Sequence, residues 1–177
     1  TSDAGSGAAA PKATPAIPTI TANGSTTFCE GGEVLLSASA GNTRYAGSVL
    51  NLSSQYDKCG FDYSSCEILG KPDTYPLHGD YGTAWSPLDS INENGEYIEL
   101  GFDEASSSPI NFIDIYETLG AGSIVNVKVK NPTTGSFESV YTASAASIGE
   151  VSRKLHITFP LTAFPVNSIR IEMNTAA

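Results

Sequence analysis

Between residues 96 and 173, four segments carry apolar side chains at every second position. Glu96-Tyr-Ile-Glu-Leu-Gly-Phe102 places Ile98, Leu100 and Phe102 on one face. Ser123-Ile-Val-Asn-Val-Lys-Val-Lys130 places Val125, Val127 and Val129 inward, with Asn126, Lys128 and Lys130 outward. Arg153-Lys-Leu-His-Ile-Thr-Phe159 and Asn167-Ser-Ile-Arg-Ile-Glu-Met173 repeat the period, with Leu155, Ile157 and Phe159 forming one row and Ile169, Ile171 and Met173 the other. Successive side chains of an extended chain point to opposite sides, so a period of two predicts half-buried strands. Asn94-Gly95, Ser108-Pro109, Asn131-Pro-Thr-Thr-Gly135 and Phe164-Pro165 supply turn residues between them. Short strands punctuated in this way predict an all-β chain, an antiparallel β-sandwich or jelly roll. No amphipathic helix of useful length is visible, and Tyr63 to Leu69 has room for one helical turn or two.

The chain before Tyr45 has another character. Residues 1–19 are small residues and prolines with almost nothing to bury, the composition of a linker. Residues 20–44 hold two short strand-like runs about a Gly31-Gly32 turn, an extended N-terminal arm. Two strands alone are marginal in water, so this arm is expected to pack on something else. Residues 45–177 form the sandwich, without internal repeat, and a domain of this size buries about two thirds of its unfolded surface.

Charge narrows the range of partners. The 177 residues include 9 Lys and Arg against 19 Asp and Glu, a net charge of −10. Such a chain lacks the basic surface that neutralises phosphates, which argues against nucleic acid and against docking on anionic lipid. No run approaches the ~18 apolar residues of a membrane-spanning helix, so no membrane insertion is expected. The sequence starts at Thr1 with no charged and then apolar leader, as expected of a mature or excised piece. Of three cysteines, Cys59 and Cys66 bracket Gly-Phe-Asp-Tyr-Ser-Ser and are spaced to close a small oxidised ring. Cys29 is then unpaired or meant for a partner outside the chain. The alternative for Cys59 and Cys66 is a pair of buried thiols acting as small hydrophobes. Zinc is disfavoured by the spacing and by the lack of a neighbouring His.

Catalytic patterns are sparse. The two histidines are His78, in a loop, and His156, on the outward row of a strand and read as solvated; no Gly-x-Ser-x-Gly elbow is present. Paired carboxylates for glycoside cleavage are a spatial arrangement that 19 acidic residues do not specify. We expect no enzyme. Ile68-Leu-Gly-Lys-Pro-Asp-Thr-Tyr-Pro-Leu-His-Gly-Asp-Tyr-Gly-Thr-Ala-Trp-Ser-Pro87 is the densest candidate, a long turn-rich loop that needs an internal staple or a ligand to order it. Asp73, Asp80 and Thr83 offer the hard oxygens that calcium prefers. Tyr75 and Tyr81 offer flat amphipathic faces suited to a sugar ring. The alternative is that the Asp residues cap turns and the aromatics cover the core, where Trp85 is expected.

Val49-Leu-Asn-Leu-Ser-Ser-Gln-Tyr56, Ile68-Leu-Gly-Lys-Pro-Asp-Thr-Tyr-Pro76, Gly79-Asp-Tyr-Gly-Thr-Ala-Trp-Ser-Pro87, Glu96-Tyr-Ile-Glu-Leu-Gly-Phe102 and Ile115-Tyr-Glu-Thr-Leu-Gly-Ala-Gly-Ser-Ile-Val125 together resemble a discoidin-like, galactose-binding jelly roll, over about Tyr45 to Asn174. The variant in question is found in modular secreted bacterial proteins and beside the leucine-rich repeats of certain F-box proteins. The resemblance implies an eight-stranded antiparallel sandwich, often with a structural calcium, whose loops at one end bind a glycan, lipid head group or protein. It places the calcium loop before Thr83-Ala-Trp85 and completes the site with Glu172. This sequence departs from that pattern by carrying Tyr75-Pro-Leu-His-Gly-Asp80 within the loop. Glu117 and Thr118 occupy another loop, which would form a polar and aromatic cluster with Tyr75 and His78 if it shared their end of the sandwich; a capped turn is the alternative. Thr26-Thr-Phe-Cys-Glu-Gly-Gly-Glu-Val-Leu-Leu-Ser37 is similar to the opening strands of immunoglobulin-like modules of bacterial surface proteins. The expectation is a carbohydrate-binding or adhesion module, secreted or at the cell surface, stapled by calcium, with a glycan or other cell-surface ligand as partner. A structural subunit whose N-terminal arm pairs with other copies of the chain is the second expectation.

Overall fold

The computed structural model describes residues 19–23, 35–39, 43–88 and 95–176. The chain divides between Arg44 and Tyr45 into two units. In the first, β1 (Thr19–Asn23) and β2 (Leu35–Ser39) pair antiparallel, from Thr19 opposite Ser39 to Asn23 opposite Leu35. The Gly31-Gly32 turn and Cys29 lie outside the described residues.

The second unit is an antiparallel β-sandwich. β3 (Ser48–Leu52), β4 (Glu96–Gly101), β6 (Ile124–Lys130), β7 (Phe137–Thr142) and β9 (Ser168–Met173) form a five-stranded sheet in the order β3-β4-β9-β6-β7. β5 (Phe112–Glu117) and β8 (Arg153–Thr158) form a two-stranded sheet. That makes seven strands among the described residues, one fewer than the family resemblance implies. Among the described residues, helix is confined to single 3-10 turns at Ser65–Ile68 and Glu104–Ser106, the first of them inside the segment with room for one helical turn or two.

Alternation dictates the core. Ile98 and Leu100 of β4 and Ile169, Ile171 and Met173 of β9 turn inward as their spacing predicts, joined by Ile113 and Ile157 from the smaller sheet and by Val166. In β6 the expected row slips. Val125 is only half-buried and Ile124 takes its place, because the β6–β9 register shifts between Ile124 and Asn126. A bulge adds one residue to one strand and reverses the facing on its far side, so Val127 and Val129 keep the inward row. The outer face of the large sheet carries a charge network: Lys128 pairs with Glu172 at 2.7 Å, Arg170 with Glu172 at 3.0 Å and with Glu99 at 3.2 Å. The Arg170 guanidinium also lies 3.8 Å over the Tyr97 ring.

Strand direction assigns the loops. The β3–β4, β5–β6 and β7–β8 connections (described over 53–88, 118–123 and 143–152) leave one end of the sandwich, and 102–111, 131–136 and 159–167 the other. At the first end Gly79 N–H donates to the Thr118 carbonyl at 3.0 Å and the Ser152 hydroxyl to the Pro76 carbonyl at 2.7 Å. Gly122 has φ +108°, and a Cβ there would stand 2.0 Å from the Ala146 carbonyl oxygen, so the approach of two of these loops requires glycine.

Ile98 is fully buried between the sheets. Ile98→Ala should cost about 2–5 kcal/mol and Ile98→Val about 0.5–1.5 kcal/mol in urea unfolding.

Candidate functional site

The long loop 53–88 is tied down along its length. Cys59 and Cys66 form a disulfide, with Cα atoms 5.3 Å apart. Tyr63 N–H donates to the Gly82 carbonyl at 2.7 Å while the Tyr63 carbonyl accepts from Ser86 N–H at 3.1 Å, which joins the two arms of the loop. Tyr63 does this with φ +61°. The disulfide ring is also held from outside, where Ser65 N–H reaches the Gln55 side chain at 3.1 Å. At the base of the loop the buried Glu96 carboxylate accepts from the hydroxyls of Ser53 and Ser54, and Ser54 in turn accepts from Leu88 N–H at 3.0 Å. A carboxylate removed from water needs such donors. Ile68, Leu69 and Trp85 pack against the core, so Trp85 stands where it was expected.

Tyr75 lies edge-on to the Tyr116 ring at 5.1 Å, followed by a cis peptide bond to Pro76. His78 is half-buried and Tyr81 is exposed. Gly79, between them, binds the Thr118 carbonyl, so Tyr75, His78, Tyr81 and Thr118 belong to loops at one end of the sandwich. Glu117 is spent on the scaffold: its carboxylate accepts from Arg153 Nε at 2.5 Å and from Gly122 N–H at 3.2 Å, and its side chain is 8% exposed. The hydrogen bond to Glu117 raises the Arg153 guanidinium further above its ordinary range.

The four oxygens considered for calcium are differently placed. Asp73 Oδ1 accepts from Thr74 Oγ1 at 3.1 Å, and Thr74 Oγ1 is 2.6 Å from Thr83 Oγ1, so Asp73 and Thr83 meet through Thr74. Asp80 is hydrogen-bonded to Tyr63, whose hydroxyl is pushed above its usual value by desolvation first and then by Asp80, with Asp62 adding charge. Glu172 is held by Lys128 and Arg170 on the outer face of the large sheet. Among the described residues no three of His, Cys, Asp and Glu gather as a metal site. Of the four, only Asp73 and Thr83 are brought near each other, through Thr74.

The end loops also carry most of the exposed apolar side chains. Of the eleven large hydrophobic residues exposed among those described, eight are here: Tyr56, Phe61, Leu77, Tyr81 and Leu88 on the long loop, Leu119 on the second, Ile148 and Val151 on the third. Exposed apolar groups gathered on one surface mark an interaction site, whereas scattered ones do not. At the opposite end a groove of about 370 Å³, lined among others by Val140, Phe159, Leu161 and Phe164, holds none of the candidate binding or metal residues.

Residues that the alternation did not single out line the outer face of β5–β8. Asp114 binds Lys154 Nζ at 2.8 Å and His156 Nδ1 at 2.6 Å, so His156 is outward as expected but engaged. Burial raises the Asp114 carboxyl, and the hydrogen bonds from Lys154 and His156 outweigh it, leaving the group below the usual carboxylate range. Cross-strand pairing of Asp114 with His156 and Tyr116 with Lys154 produces the cluster, and pairing is not readable from one strand.

No protein-family model matches the chain, and no curated protein matches it. Among the described residues, no helix is long and apolar enough to cross a membrane.

The disulfide closes a short ring, with a sequence separation of 7. Replacing both cysteines by serine should lower stability by about 2.5 kcal/mol from loop closure in the unfolded chain. Urea unfolding checks the magnitude, and limited proteolysis should find new cleavage between residues 56 and 66.

Proposed function

We propose that this chain is a non-catalytic carbohydrate-binding module of a secreted or cell-surface protein, with the glycan held by the loops at one end of the sandwich. The observation that carries the reading is the concentration there of eight of the eleven exposed large hydrophobic residues. Tyr56, Phe61 and Tyr81 are flat rings of the kind that stack on the apolar faces of pyranoses, and Tyr75, His78 and Thr118 lie on loops of the same end. The motif resemblance to discoidin-like modules supports the same end and the same ligand class. The disulfide is in keeping with an oxidising compartment.

Selectivity in such a site comes from a few fixed polar groups among apolar ones. Thr118 offers its hydroxyl from a loop whose backbone is already tied to Gly79. The loop presenting the rings is braced by a disulfide and by Glu96, which limits the ordering cost of binding. Calcium enters the proposal through Asp73 and Thr83, with turn carbonyls as the remaining oxygens.

A glycan array probed with the full chain, with and without calcium, should give a defined set of sugars that Tyr75→Ala loses by at least about tenfold in affinity. Removing residues 1–42 should leave that set unchanged; loss of a defined oligomer together with the absence of any bound sugar would instead favour an assembly subunit. Millimolar calcium should raise the melting temperature over that in chelator, since a ligand bound only by the folded state stabilises it by mass action. Asp73→Asn should abolish the rise, and an unchanged transition in the parent chain removes calcium from the proposal.

A further inference from the structure

The outer face of β5–β8 is continuous with the loop end. Along β5 the outward residues are Phe112, Asp114 and Tyr116, and β8 sets Lys154 and His156 against the last two. Each neighbours the next: the Phe112 and His156 rings are 5.8 Å apart, Asp114 bonds both His156 and Lys154, and Lys154 Nζ lies 5.6 Å from the Tyr116 ring centre. Tyr116 then meets Tyr75, the loop residue, at 5.1 Å. The strip from Phe112 to Tyr116 is about 13 Å long, from the rise of an extended strand.

Its chemistry differs from that of the chain as a whole. On a molecule of net charge −10, the Asp114 carboxylate is matched here by Lys154, so the strip is close to neutral. Neither an anion nor a cation is favoured. Aromatic rings at both ends, with fixed hydrogen-bonding groups between them, suit an uncharged polyhydroxylated chain. Asp114 holds the His156 ring through Nδ1, and the side chain is 54% exposed, so the ring is open to a hydroxyl of a ligand. Lys154 has three donors and spends them in part on Asp114 and Tyr116.

We propose that the outer face of β5–β8 extends the loop site into a lengthwise platform, so that the module binds internal stretches of a neutral linear glycan rather than a single terminal sugar. This rests on the carbohydrate reading of the loop end and adds the length and charge of the ligand. Tyr75 is the shared residue, contacting the glycan at the loops and handing it on across Tyr116.

Isothermal titration of the full chain with the monosaccharides and linear tetrasaccharides of glucose, galactose and N-acetylglucosamine tests it. In at least one series the tetrasaccharide should bind about tenfold more tightly than the monosaccharide. His156→Ala and Phe112→Ala should each remove most of that gain and leave monosaccharide affinity unchanged. His156 is exposed, so its loss should not unfold the protein, and a melting curve verifies both variants. Equal affinity for both lengths, or a gain that both variants retain, overturns the platform and leaves the loop site standing. Absence of binding to every sugar overturns the carbohydrate reading and the platform with it.

Discussion

Two strands have to cover five. Strands lie about 4.8 Å apart, so the β5–β8 pair spans well under half the width of the five-stranded sheet. Ile113 and Ile157 bury the centre of that sheet, and other side chains must close its flanks. Ile68, Leu69 and Trp85 come from the 53–88 loop, while Ile110, Phe159 and Phe164 come from the connections at the other end. Exposed apolar surface on that sheet would forfeit about 25 cal/mol per Å², so these loops are part of the core and not ornaments on it.

The same requirement bears on the binding site proposed for the long loop. A segment that closes the core on one side is held there, and its other side is presented to solvent in a fixed conformation. The Tyr63 bonds to Gly82 and Ser86 keep the two arms together, and the Glu96 carboxylate anchors the base. Tyr56, Phe61 and Tyr81 are displayed from a braced loop, where a flexible one would surrender part of the binding energy to ordering.

Much of the fold was legible because a half-buried strand writes its facing into alternate residues. Ile98 and Leu100, and Ile169 with Ile171, lie where spacing put them. The slip at Ile124 and Val125 was hidden because a bulge is a property of the pairing between strands. β5 escaped the period because its outward side carries Phe112 and Tyr116, so both faces read as apolar. β7, at the sheet edge and with its own register shift, buries too little to leave a pattern. The spacing of Cys59 and Cys66 pointed to the ring but left a pair of buried thiols as the alternative, and the structure has the disulfide. The engagement of Glu117 by Arg153, 36 residues away, was not, because nothing in either local sequence names the other.

The strand order also ranks the molecule by ease of opening. β9 is hydrogen-bonded on both sides, to β4 and β6, and its amides should be among the last to exchange with deuterated solvent. β5 and β8 each have a single partner, so the thinner layer is the cheapest large unit to lift away, with the Glu117–Arg153 pair acting as a clasp at one end. A molecule bound across that layer would bridge both of its strands, and its presence would be felt as slower opening of β5–β8 while the exchange of β9 stayed as it was.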